Sequence, residues 1–136
     1  MKWTGDVIVK WGPAVLVMVL IFIASSIPSE SMPNAGSWDV VFKKGGHLLG
    51  YALLAVCILH GLDLTSNRTW LIALLICGLY ALSDEYHQSF VAGRNATLVD
   101  VGIDLFGASM GAWLFIQFRK LWVKGSISQH GWKSQL

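Results

Sequence analysis

The chain has 136 residues, of which 54% are hydrophobic and only 13% charged, with a net charge of +2 and a mean hydropathy of +0.57. A soluble domain carries about a quarter charged residues, so this composition excludes an ordinary soluble enzyme. The small net charge, with no basic patch interleaved with aromatics, excludes a nucleic-acid-binding face. At about 20 residues per spanning helix, one domain of this length holds about four spans and their connections. The sequence therefore predicts an all-α membrane protein of four transmembrane helices, and its seven Trp residues suit the bilayer interface.

The first predicted helix covers about residues 7–27, an apolar run interrupted by Lys10 and by Gly12-Pro13. A cleaved signal peptide is the rival reading, because Lys2 and Lys10 precede an apolar core ending in Ala24-Ser25-Ser26. The segment before Pro28 is a poor small-x-small cleavage site, which favours a retained helix. Pro28, Pro33, Asn34 and Gly36 then mark a loop. The second helix covers 46–62 and follows Gly45-Gly46. A polar connection leads to the third, 69–88, where Asn67 or Thr69 can cap the helix start. This third run is apolar only through Leu82, so it must continue as helix through Ser83–Gln88 to span. The fourth covers 96–118, with Asp100 and Asp104 in its first turns. Arg119, Lys120 and Lys124 follow it, and residues 125–136 read as a loose polar tail. Cys57 and Cys77 sit inside apolar runs without metal-ligand spacing and read as buried small hydrophobes.

Four spans put the N-terminus, the second loop and the C-terminus on one side of the membrane. That side holds seven of the ten basic residues: Lys2, Lys10, Arg68, Arg119, Lys120, Lys124 and Lys133. The positive-inside rule therefore predicts cytoplasmic termini. The start of helix two, the end of helix three and the start of helix four then share the outer face. Four of the eight acidic residues, Asp84, Glu85, Asp100 and Asp104, fall in that region. Ionisable groups in or beside a span mark a functional site by default.

Each polar group has a candidate role. Asp100 and Asp104 lie four apart on one helix face, continued by Gly107 and Gly111 in the small-xxx-small pattern of close helix packing. They can attract Arg94, Lys44 or a metal ion, or simply hold helices together through buried ion pairs. Asp84 pairs in register with His87 and Gln88, while Glu85 points about 100° away. This set suits acid–base work or a metal shell, and a merely wet helix end is the bland alternative. Lys44 and His47 can hold an anion, with Tyr51 as a hydrogen-bond donor. Arg94, after Gly93, offers a planar fork for carboxylate or phosphate. Ser25, Ser26 and Pro28 border the same side. Ser83, Ser89 and Thr97 are nucleophile candidates only by proximity, with no GxSxG elbow.

The ordered set Lys44-xx-His47-xxx-Tyr51, Asp84-Glu85-xx-Gln88, Gly93-Arg94 and Asp100-xxx-Asp104-xx-Gly107 resembles the VanZ-like family of small bacterial membrane proteins. The likeness runs from about Ser25 to Phe118. Family members usually carry Asp-Lys-xx-His at the second helix, and here Lys43 replaces the acidic residue. The resemblance implies a four-helix fold in the bacterial cytoplasmic membrane and a connection to the cell envelope, the family name deriving from low-level teicoplanin resistance. It implies no settled activity.

Three functions compete. The first is an envelope-facing binding protein for membrane lipids or a lipid-linked precursor, with Lys44, His47, Tyr51, Gln88, Arg94 and Asp100 as ligand-binding residues. The second is a membrane-embedded hydrolase or transferase, with Asp84, Glu85, His87 and Asp104 as catalytic candidates and a divalent metal as an open option for the cofactor. The third is a transporter, for which four helices are few, so a homo-oligomer would be needed.

Overall fold

The computed structural model describes residues 3–31, 39–62 and 68–133. The loop residues Pro33, Asn34 and Gly36, the candidate cap Asn67 and the last three residues of the predicted tail lie outside them. Among the described residues four helices follow in order: α1 Trp3–Ser26, α2 Asp39–Gly61, α3 Thr69–Gln88 and α4 Leu98–Lys133, with a 3-10 turn at Ser29–Ser31 after α1. The described residues contain no strand. Each helix has a stretch long and apolar enough to cross a membrane: Asp6–Ser26, Val41–Gly61, Thr69–Gln88 and Leu98–Val123.

The boundaries depart from the predicted ones at three places. Helix α2 starts at Asp39, so Gly45 and Gly46 lie inside it, and a Cβ at either would meet nothing within 4 Å. These glycines are not forced by packing. Helix α3 has Arg68 at its N-cap position with no side-chain cap bond, so Thr69 is already helical. Helix α4 does not stop near Phe118 but continues to Lys133, through the predicted loose tail. No proline breaks that stretch, and basic residues end an apolar span without ending a helix. The required continuation of α3 through Ser83–Gln88 is present.

Helix α2 is the centre of the bundle, packing on all three others and most extensively on α4. Its Tyr51, Leu54, Ala55, Ile58 and Leu59 are buried against Ala14, Val17 and Ile21 of α1, Ala73, Cys77 and Ala81 of α3, and Ala108 and Ala112 of α4. The inward stripes of α3 and α4 are small residues, which lets backbones approach. At Gly107 and Gly111 the approach is complete: a Cβ would collide with the backbone carbonyls of Leu48 and Ala52. The outward faces carry large exposed apolar residues such as Leu16, Leu53, Leu75 and Leu114. Only 17–33% of each most apolar window is buried, so most of the apolar surface faces outward, as lipid contact requires.

Candidate functional site

The end of α1, the start of α2, the end of α3 and the start of α4 meet at one end of the bundle. They enclose a cavity of about 390 Å³. Lys43, Lys44 and His47 line it from α2, Glu85 and Gln88 from α3, Arg94 and Thr97 from the connecting turn, and Asp100 and Asp104 from α4. Exposure falls from rim to floor: the Lys44 side chain is 42% exposed, Asp100 23%, His47 18% and Asp104 0%.

Two acid–base pairs cross the α2–α4 seam, one helical turn apart. Lys44 forms an ion pair with Asp100 at the rim. Below it, His47 Nδ1 lies 3.4 Å from Asp104 Oδ1 and 4.0 Å from Asp84 Oδ2. Asp100 and Asp104 thus share a face as their spacing requires, and each meets its own basic side chain rather than a common one.

The start of α4 is fixed by side chains. The Thr97 hydroxyl donates to Asp100 Oδ2 at 2.8 Å, and the Asp100 backbone N–H lies 3.3 Å from the Thr97 hydroxyl oxygen. The Thr97 backbone N–H donates to Glu85 Oε2 at 2.8 Å. This is a capping box whose N-cap N–H has been taken by a carboxylate of α3, which ties the two helices together. The pattern Thr97-x-x-Asp100 was the sequence signal for it.

Asp84 is held from both sides. Its Oδ2 accepts from the Ser25 hydroxyl at 2.8 Å and from Gln88 Nε2 at 2.9 Å. Gln88 Oε1 in turn accepts from Arg94 at 3.3 Å. Arg94 therefore reaches Asp84 only through Gln88. Its other donors go to the backbone carbonyls of Ala24, at 2.6 Å, and Ile27, at 3.3 Å. Arg94 makes no direct ion pair with Asp100, one of the partners its position allows; it caps the α1 C-terminus instead, where helix-end carbonyls need donors. Partial burial draws the Arg94 guanidinium below its ordinary value, and the charges of Asp84 and Glu85 oppose that shift. Gly93, at φ +72°, supplies the left-handed turn before Arg94, with Ser29 Cβ 3.2 Å from where its own Cβ would be.

Three candidate residues lie off the pocket wall: Asp84, directly behind it, His87 and Tyr51. His87 faces α1: its Nε2 is 3.0 Å from the Ser26 hydroxyl oxygen and its ring is 4.4 Å from that of Phe22. The Ser26 hydroxyl gives its proton to the Phe22 carbonyl at 2.7 Å, so His87 is the donor. Tyr51 is fully buried beneath His47, its ring stacked 6.4 Å away. Among the described residues the buried side-chain polar atoms without a hydrogen-bond partner are His47 Nδ1, Tyr51 Oη, Asp84 Oδ1 and both oxygens of Asp104. All of them belong to this one cluster. No three of the described His, Cys, Asp and Glu residues are grouped to hold a metal ion, so Asp84, Glu85, His87, Asp100 and Asp104 do not assemble into the metal shell considered above.

Ser25 and Thr97 are the contributors that sequence reasoning left at the margin, one as a border residue and one as a candidate by proximity.

The VanZ/LLP1 family model matches residues 11–121. An uncharacterized protein of Schizosaccharomyces pombe is 31% identical over 105 residues, which cover 76% of this chain and 65% of the relative, under two-thirds of its length. No solved structure matches.

Proposed function

The chain belongs to the VanZ/LLP1 family, and we propose that its polar pocket binds the headgroup of an anionic lipid or lipid-linked precursor. The observation that carries this reading is the pairing of environments. A cavity of about 390 Å³ with Lys43, Lys44 and Arg94 on its wall opens at the end of a bundle whose outer faces are apolar. A ligand with an anionic head and a hydrocarbon tail satisfies both. The cations are held in place, Lys44 by Asp100 and Arg94 by the amide of Gln88, which Asp84 in turn holds. Basic-residue asymmetry supports cytoplasmic termini and an outward-facing pocket, and the family likeness supports the bacterial cytoplasmic membrane as its location. A relative in a yeast favours a lipid common to both kinds of cell over a ligand confined to the bacterial wall. A role in glycopeptide resistance would follow only if the ligand were a wall precursor.

The test is equilibrium binding of phosphatidylglycerol, against a neutral diacylglycerol, to the purified chain in detergent. Removing a charge-assisted contact costs about 1.5–3 kcal/mol, roughly 10- to 150-fold in affinity. Lys44→Ala and Arg94→Ala should each weaken phosphatidylglycerol by that factor and leave diacylglycerol unchanged. Equal binding by wild type and both variants sinks the reading.

A further inference from the structure

We infer that the same pocket is catalytic, with His47 as the general base and Asp104 as its positioning residue, in hydrolysis of a lipid phosphate ester. The inference rests on the headgroup-binding reading and adds a reaction to it.

The argument begins with what Asp104 lacks. It is fully buried, and neither carboxylate oxygen has a hydrogen-bond partner. Its nearest basic neighbour is His47 Nδ1, at 3.4 Å, and that nitrogen has no partner either. This is long for a hydrogen bond, but acid–base pairs in unliganded sites are often loose and tighten around substrate. A carboxylate behind an imidazole favours the tautomer with its proton on Nδ1. The other nitrogen, Nε2, then carries the lone pair, on a residue that lines the cavity.

A pair that only holds α2 to α4 has a simpler form, and the neighbouring turn shows it in Lys44–Asp100. His87 provides the second contrast. It has a hydroxyl and an aromatic ring for company and no carboxylate. The carboxylate is therefore placed behind the pocket histidine and withheld from the other.

The cavity lining supplies cations, Lys43 and Lys44 from the same helix as His47 and Arg94 from the α3–α4 turn, which suit phosphoryl oxygens. Thr97 and Ser25 commit their hydroxyl protons to Asp100 and Asp84, and the nucleophile assigned to His47 is a water. In the step, the water oxygen bonds to phosphorus while its proton passes to His47 Nε2. The bond from phosphorus to the alkoxyl oxygen breaks, and the alcohol leaves with a proton from solvent. His47 then returns its proton to solvent. One water and one ester give one phosphate and one alcohol. Lys44 and Arg94 neutralise charge on the phosphoryl oxygens.

The experiment uses the full chain in lipid nanodiscs containing phosphatidic acid or phosphatidylglycerol, scored separately for binding and for release of phosphate or glycerol, in ¹⁸O-labelled water. Wild type should release ¹⁸O-labelled phosphate from phosphatidic acid, or unlabelled glycerol from phosphatidylglycerol with the ¹⁸O on the phosphatidic acid left behind. A general base contributes about 10²- to 10⁴-fold. His47→Ala should lose turnover by that factor while binding stays within about threefold, and added imidazole should restore part of it. Asp104→Asn should lower kcat with KM unchanged. If Asp104→Asn does not fold, His47→Gln, which keeps a donor toward Asp104, serves instead and should bind without turnover. Binding without release by wild type, or turnover unchanged in His47→Ala, overturns the catalytic inference and leaves the binding reading standing. Absence of binding by wild type overturns both.

Discussion

Replacing Gly107 or Gly111 by alanine tests whether α2 and α4 touch backbone to backbone. The added Cβ at Gly107 would lie 3.0 Å from Leu48 Cα, and at Gly111 it would lie 2.8 Å from the Ala52 carbonyl carbon. Carbon atoms pack best at about 3.5–4.0 Å, so the helices must retreat by up to about 1 Å. Nothing at these contacts is a flexible side-chain tip that could swing away. Overpacking of this kind costs about 1–3 kcal/mol, and a gap of up to 1 Å forfeits a quarter to a half of the neighbouring dispersion contacts. Alanine recovers up to about 1 kcal/mol of helix propensity relative to glycine. The net expectation is a loss of about 1–2 kcal/mol for each substitution. Gly102 is the internal control: it lies on the same helix with nothing within 4 Å of a Cβ, so Gly102→Ala should be neutral or stabilising by up to about 1 kcal/mol. Reversible unfolding in mixed micelles, followed by tryptophan emission, measures all three. If Gly107→Ala and Gly111→Ala are as stable as Gly102→Ala, the seam is looser than described.

Arg94→Ala leaves the Ile27 carbonyl without its donor and the Ala24 carbonyl with only the Ile27 N–H, at 3.4 Å, and should destabilise by about 1–3 kcal/mol in the same unfolding assay; no change would mean that the guanidinium does not cap α1. Gly93→Ala forces a side chain into left-handed backbone beside Ser29 and should cost about 1–2 kcal/mol, with a larger effect for valine. A double-mutant cycle on Lys44 and Asp100 should return a coupling of only about 0–1 kcal/mol, because the lysine is largely wet, and a value near 3 would place the pair in a drier setting than its exposure indicates. Tyr51→Phe removes a buried hydroxyl that has no partner, so stability should hold or rise; a loss above about 1 kcal/mol would reveal a hydrogen bond that the geometry does not contain.

Much of the site was legible because helical periodicity and span alternation are enough to bring three distant segments to one end. Lys44, His47, Glu85, Gln88, Arg94, Asp100 and Asp104 all line the cavity, with Asp84 directly behind it. His87 shows where the reading stopped. Three-residue spacing from Asp84 made it a neighbour on the helix, but Ala73, Cys77, Ala81, Asp84 and Gln88 form the inward stripe, and His87 falls off its edge toward α1. Weighing it against that small-residue stripe would have separated the two. The partners of Arg94 were not legible at all, since backbone carbonyls at the end of another helix leave no mark in side-chain chemistry. The extent of α4 was misjudged because hydropathy reports where lipid contact ends, whereas a helix ends where its backbone bonding is interrupted.

The contacts at Gly107 and Gly111 also bear on how fast the pocket can fill and empty. Helices already in backbone contact have no side-chain layer to compress, so the α2 and α4 walls do not part without breaking the seam itself. The α1 and α3 walls are joined directly, Ser25 to Asp84, Ser26 to His87 and the Tyr80 hydroxyl to the Met18 carbonyl, whereas the turn after α3 is held to the end of α1 by Arg94 and by the Ser29 N–H to the Ala92 carbonyl, at 3.3 Å. If the pocket holds the proposed headgroup, its exchange falls to a few hydrogen bonds on a short turn rather than to opening of the bundle. Residence time should follow substitutions in residues 89–97, while the unfolding free energy of the bundle follows the seam, and the two quantities can vary independently.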